Sequence, residues 1–113
     1  MQYMLMFYQP QAEFDARSET TMGAWMAYVQ AVQAAGISRG GHGLTPPATG
    51  TTLRVRGQQR QVQDGPFAEA KEQLGGYFVI DVPDLDTALA WAERAPCAAT
   101  GGVEVRPVFA PTL

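Results

Sequence analysis

Asp64-Gly65-Pro66-Phe67 sets a carboxylate at the end of a strand-like run, next to a permissive glycine and a rigid proline. Held there and partly desolvated, a carboxylate can serve as a general base, because loss of water disfavours its charged form and raises its pKa. The same placement also suits an ordinary turn aspartate that caps a helical turn opened by Pro66. Glu69 and Glu72 lie three residues apart, a spacing that shares a helical face, so with Asp64 they can form an acidic cluster for proton transfer or cation binding. Lys71 between them fits a solvated, salt-bridged turn equally well. His42, in the run Gly40-Gly41-His42-Gly43, is the one histidine of the chain, the residue type suited to proton transfer at physiological pH. Its glycine neighbours let it approach a ligand closely, and they also suit a plain surface loop. Tyr3 and Tyr77 carry hydroxyls that can orient a carbonyl or carboxylate, or simply pack in a sheet. Arg54, Arg56 and Arg106 can clamp an anion bidentately, or act as charges that protect strand edges.

Other chemistries lack their residues. One His, one Cys and scattered carboxylates, without H-x-x-x-H or C-x-x-C, do not supply a zinc or iron site within one chain. No G-x-S-x-G is present, and Gly40–Gly43 is neither a Walker loop nor a dinucleotide fingerprint. No bound cofactor is therefore expected. The 113 residues carry 8 Lys+Arg against 11 Asp+Glu, a formal charge of -3, so neither nucleic acid nor an anionic membrane is an expected partner. No apolar run reaches the roughly 18 residues of a membrane span. Cys97 stands alone, and the opening MQYMLMFY has neither the basic region nor the cleavage site of a secretory signal, so a cytoplasmic location is expected. The length suits a single domain over residues 1–113.

Elements that position these groups follow from periodicity. Residues 1–8 alternate Tyr3, Leu5, Phe7 with Met4, Met6, Tyr8, which predicts a strand with apolar groups on both faces. Ser18 or Thr20 is placed to cap a helix carrying Met22, Trp25, Val29 and Val32 inward, with Gly36 as its stop. A glycine- and proline-rich stretch follows, with room for a short extended segment near 39–45. TTLRVR and RQVQ then read as a hairpin turning around Gly57-Gln58-Gln59, with Leu53, Val55 and Val62 apolar and Arg54 and Arg56 on the other face. Pro66 can open one or two helical turns that Gly75-Gly76 must end, before the strand GYFVIDV. Asp84 or Asp86 caps a second helix with Leu85, Ala88, Leu89 and Ala92 on one face, closed by Pro96. VEVRPVF is the last strand, alternating Val103 and Val105 with Glu104 and Arg106.

Strand, helix, strand, hairpin, strand, helix, strand predicts a ferredoxin-like α+β sandwich, an antiparallel sheet with both helices on one face. Its other face would expose methionines and aromatics, and a symmetric homodimer is the expected remedy. Asp81, Arg54, Arg56, Glu104 and Arg106 would then be pocket groups or rim salt bridges.

Three runs, GGHGLTPPATGTTLRVR, DGPFAEAKEQLGGYFVIDV and DLDTALAWAERAP with GGVEVRPV, resemble the YCII-related, DGPF-domain family over most of the chain. The resemblance implies a dimeric α+β barrel of ferredoxin-like protomers with a cleft between sheet and helices. It also implies small bacterial proteins, often encoded near extracytoplasmic-function sigma factors, whose activity is generally unassigned. Other branches of that group carry a histidine in the first helix that works with an aspartate. TTMGAWMAYVQAVQ has none, so that pairing does not transfer.

Two functions compete at this point. One is a cofactor-independent enzyme for a small metabolite, with Asp64 and His42 catalytic and Tyr3, Arg54, Pro66, Phe67, Glu69 and Tyr77 as ligand contacts. The other is a non-catalytic small-molecule sensor or protein-interaction module tied to sigma-factor or stress control. A pocket of about 300 Å³ or more containing Asp64 would favour the first.

Overall fold

The computed structural model describes residues 1–15, 19–66 and 71–109. Strand β1 (Gln2–Pro10) occupies the middle of a four-stranded sheet, flanked by β5 (Glu72–Asp81) and β6 (Gly102–Pro107), with β2 (Ser38–Gly43) beyond β5. All three pairings are antiparallel, and the order β2-β5-β1-β6 is that of a ferredoxin-like sheet. Along β1 every second residue is buried: Tyr3, Leu5, Phe7 and Gln9 point to one face. Helices α2 (Glu19–Ala34) and α3 (Leu85–Glu93) both cover that face, since Tyr28 and Val32 of the first and Ala88 and Ala92 of the second join Tyr3, Leu5, Phe7 and Ile80 in one core. The Tyr28 hydroxyl donates to the Trp91 carbonyl at 2.8 Å and ties the two helices together.

The expected α+β layering is present, but the expected barrel is not. The sheet is open, with β2 and β6 as its two edges. Four twisted strands span too small an arc to close, whereas small barrels close with about eight. The face opposite the helices, with Met4, Met6, Tyr77 and Val79, is only half-buried, so β1 is not covered on both sides within this chain.

Helix α2 begins at Glu19, so Thr20 lies inside it, while Ser18 falls outside the described residues. Its inward stripe is Trp25, Tyr28, Val29 and Val32, rotated from the predicted one: Met22 is exposed and Tyr28 takes the core position. Gly36 ends the helix with φ +73°, a conformation costly for any residue with a Cβ. The cap of α3 is Asp84, whose Oδ1 accepts from the Thr87 backbone N–H at 2.8 Å and from the Thr87 hydroxyl at 2.7 Å. Those two hydrogen bonds hold the Asp84 carboxyl below the usual range. A short helix, α1 (Gln11–Asp15), follows Pro10 and buries Phe14.

Two further strands, β3 (Thr51–Arg56) and β4 (Gln59–Asp64), form a separate two-stranded ribbon. Gly57 and Gln58 take φ +56° and +67°, the pair of left-handed residues that a two-residue hairpin turn needs. Beyond Pro66 the predicted helical turn fails where it can be seen. Residues 67–70 lie outside the described residues, and Glu72 onward is already extended, through Gly75-Gly76 and into the predicted strand.

Candidate functional site

A cleft of about 290 Å³ lies between α2 and the sheet. Phe7, Trp25 and Phe78 form its aromatic wall, Met22, Val29 and Leu44 its aliphatic one, and Gln9, Thr21, His42 and Thr45 bring polar atoms to it. The Phe7 ring meets Trp25 and Phe78 edge-on, each at 5.1 Å between centroids, so the wall is rigid and its geometry fixed by aromatic packing.

Gln9 is the polar group that stands out. It is 6% exposed and belongs by alternation to the buried face of β1, in phase with Tyr3, Leu5 and Phe7. Its side-chain amide has no hydrogen-bond partner among the described residues, yet no fully sealed side-chain nitrogen or oxygen lacks one. The amide therefore keeps its remaining contact toward the cleft that it lines. Room for it comes from Gly75, where a Cβ would stand 2.7 Å from Gln9 Oε1 and 3.2 Å from Phe14 Cε1. Gly75 is also the extra residue of a β-bulge: β1 steps from Phe7 to Tyr8 while β5 steps from Gly76 to Leu74. At Gly76 a Cβ would come 2.9 Å from the His42 carbonyl oxygen. The glycine pair thus ends no helix. It lets β2 and Gln9 close around one end of the cleft.

His42 pairs with Tyr77 across β2 and β5, and its Nδ1 lies 3.0 Å from the Tyr77 hydroxyl in a hydrogen bond. Tyr77 sits opposite Met6, on the sheet face away from the helices, so the imidazole is turned to that face while the residue's position also borders the cleft.

The other candidates are dispersed. Asp64 is exposed at the end of β4 and does not line the cleft. The backbone beside it is well held: Gly65 N–H donates to the Gly50 carbonyl at 2.7 Å, the Thr52 hydroxyl donates to the Gly65 carbonyl at 2.7 Å, and Gln63 Nε2 donates to the Pro66 carbonyl at 2.9 Å. Tyr3 is buried in the core and its hydroxyl lies 3.7 Å from Met1 Sδ. Arg54 stands on the exposed ribbon, and Phe67 and Glu69 fall outside the described residues. Asp81 forms rim pairs with Arg39, at 3.7 Å, and with the Met1 amino group, at 3.2 Å, and Glu104 pairs with Arg106. Among the described residues no three of His, Cys, Asp and Glu converge as metal ligands, and no helix is long and apolar enough to cross a membrane.

Spacing arguments did not identify Gln9, Trp25 or Phe78 as site residues. The signal was available in Gln9 alone, a polar side chain at the fourth buried position of an otherwise apolar alternation.

Comparison with known proteins agrees with this architecture. The chain is 37% identical over 114 residues to an uncharacterised protein, R00369, of Rhizobium meliloti (strain 1021), covering 96% of this chain and 92% of that one. It superposes with a TM-score of 0.57 on 5-chloro-2-hydroxyhydroquinone dehydrochlorinase (TftG) of Burkholderia phenoliruptrix AC1100, solved in complex with 2,5-dihydroxybenzoquinone. That match is 15% identical and covers 96% of this chain and 93% of the other, so it speaks for the fold. The model of the YCII-related domain matches residues 1–111, and the chain belongs to the YCII-related family.

Proposed function

We propose that the cleft between α2 and the sheet binds a small planar aromatic or quinonoid metabolite, and that the protein acts on it as an enzyme without a bound cofactor. The observation that carries this reading is the Gln9 amide, nine-tenths buried, unpartnered among the described residues and lining a cleft with an aromatic wall. The amide opens to the cleft, so a ligand carbonyl or hydroxyl entering there can pair with it directly. Phe7, Trp25 and Phe78 supply ring faces and edges for a flat ligand, and a volume near 290 Å³ suits a single substituted ring. The dehydrochlorinase that shares the fold was solved with a compound of that shape, which supports the choice of ligand class.

For the chemical step the sequence offers His42 and Asp64, but the His42 imidazole is bonded to Tyr77 on the sheet face away from the helices and Asp64 does not line the cleft, so both serve as tests of whether a group outside the cleft takes part. Both come from the residue types of the chain, and the binding reading does not depend on either.

Thermal shift and calorimetry with 2,5-dihydroxybenzoquinone and ring-substituted relatives test the binding step. The native protein is expected to gain melting temperature with ligand concentration, as linkage requires. Gln9→Leu is close in volume, so it should fold with unchanged or higher stability and bind at least about tenfold more weakly. Equal binding by Gln9→Leu, or no binding of any ring compound by the native protein, sinks the proposal. His42→Ala and Asp64→Asn, assayed for turnover of whichever compound binds, separate binding from catalysis.

A further inference from the structure

Helix α3 carries two stripes. One, with Ala88 and Ala92, is buried in the core. The other, Asp86, Leu89, Ala90 and Glu93, has the i, i+3, i+4, i+7 spacing of a single helix face and lines a groove of about 530 Å³ together with Ala92, Ala98 and Val103. Leu89 is 46% exposed there. Asp86 and Glu93 form no ion pair among the described residues. Glu93 lies in the last turn of α3, where the helix dipole opposes a negative charge and no basic residue offsets it. Arg94 comes next in the chain, but its guanidinium stands 4.4 Å over the Trp91 ring. The groove thus sets an apolar floor between two carboxylates that lack a cation.

The strand beside the groove is open. β6 ends the sheet, and among the described residues no strand pairs with its outer edge. The phase of the ladder fixes what that edge offers. Val108 N–H donates to the Gln2 carbonyl at 2.9 Å, so by the alternation of an antiparallel pair the residues bonded to β1 are Arg106, Glu104 and Gly102. Val103 and Val105 therefore turn their backbone N–H and C=O groups outward, while their side chains, opposite Phe7 and Leu5, lie on the helix side of the sheet. Unpaired backbone groups next to a side-chain groove are the two parts of an extended-peptide site: main-chain pairing supplies affinity, and pockets for alternate side chains supply specificity.

We propose that the β6 edge and this groove bind an extended segment of a partner protein as a fifth strand, with basic residues at i and i+4 and an apolar residue at i+2. Alternate residues of a strand share a face, so i and i+4 stand about 14 Å apart, while Asp86 and Glu93 are about 10 Å apart along the helix. Long cationic side chains cover the difference, and the apolar residue between them falls on Leu89 and Val103. A second copy of this chain does not carry the pattern: its one pair of cations four apart, Arg56 and Arg60 at the tip of the β3–β4 arm, has Gln58 between them. The groove shares no lining residue with the cleft, so this proposal stands or falls apart from the ligand reading.

The test uses fluorescence anisotropy on the full chain with labelled, end-blocked peptides Thr-Lys-Thr-Val-Thr-Lys-Thr and Thr-Glu-Thr-Val-Thr-Glu-Thr. The basic peptide should bind at least about tenfold more tightly than the acidic one. Asp86→Lys/Glu93→Lys should invert that preference, and the milder Asp86→Asn/Glu93→Gln should erase it, with melting followed by circular dichroism showing that each variant folds. Strand addition is read from the peptide backbone. N–H groups of a strand alternate in direction, so basic peptides N-methylated either at every Thr or at Lys and Val should differ at least about tenfold in affinity, since one set alone meets β6. No binding of the basic peptide by the native protein overturns the proposal. So does equal binding of the acidic one, or an unchanged preference in both variants. Equal affinity of the two methylated peptides overturns it as well, by putting the contact away from the strand edge.

Discussion

Leu5 and Leu53 both sit in the middle of antiparallel strands, yet Leu5 is wholly buried and Leu53 is 48% exposed. The difference lies in what each strand is given to pack against. β1 has a strand on either side and two helices across one face. The ribbon has its own partner strand and a tight turn. Body and arm therefore draw on different sources of order: layered apolar burial in the first, turn geometry and hydrogen bonding in the second.

The largest contrast should come from truncating one residue in each region. Phe7 is 2% exposed and packs edge-on against Trp25, Tyr28 and Phe78, so Phe7→Ala removes the ring around which the core is arranged. A loss of about 3–5 kcal/mol in urea unfolding is expected. Leu53→Ala, measured at a protein concentration low enough to keep the chain monomeric, should cost less than about 0.5 kcal/mol. Comparable losses at the two sites would mean that the arm is as integral to the fold as the sheet, and the comparison would break.

Glycines sharpen the same contrast at intermediate size. A Cβ on Gly41 would collide with the Tyr77 carbonyl oxygen and the Phe78 ring, and the backbone of β5 cannot move aside without disturbing its pairing to β1. Gly41→Ala should cost about 2–3 kcal/mol. Gly57→Ala in the arm meets no atom within 4 Å and carries only the strain of φ +56°, about 1 kcal/mol. If Gly57→Ala proves the more damaging, the turn holds more of the structure than the body's close packing does.

How much could be read from the residues follows the same division. Alternation in residues 3–8 and the Asp84 cap specify their elements locally, because each depends on side chains within a few positions. The hairpin was equally legible, but its exposure was not, since nothing in TTLRVR distinguishes a strand that is covered from one that is left bare. Met22 was expected inside and Tyr28 was not, because a helical stripe can turn by one residue when a large ring finds a carbonyl, here that of Trp91, more than sixty residues away. Gly75-Gly76 reads as a helix stop from the chain alone, and becomes a bulge and a close approach only when β1 and β2 lie beside it. The cleft was illegible for that reason: Gln9, Trp25 and Phe78 meet through the order of the sheet, while Asp64, the residue with the most suggestive local motif, ends on the arm.

An effect of comparable size to the glycine substitutions concerns alkaline pH and again belongs to the body. Burial raises the Cys97 thiol to about 11 and the Tyr28 hydroxyl to about 12. Both groups are neutral when protonated, and both lose protons more readily once unfolding returns them to water, from ordinary values of 9.0 and 10.0. Their contribution to stability is therefore complete below about pH 9 and fades as pH rises through 9 to 12. At pH 10 the loss should be about 1–2 kcal/mol relative to pH 8, most of it from Cys97, whose ordinary value lies lower. Cys97→Ala should flatten this slope, and Tyr28→Phe should flatten it less at pH 10 while also removing the hydrogen bond to Trp91. A slope unchanged in Cys97→Ala would show that the thiol reaches water in the folded chain, contrary to its 1% exposure beneath Tyr8 and Gly102. Alkylation reads the same property from the other side: at pH 8 the native thiol should react only at the rate of unfolding, so the reaction should accelerate in Phe7→Ala and stay unchanged in Leu53→Ala.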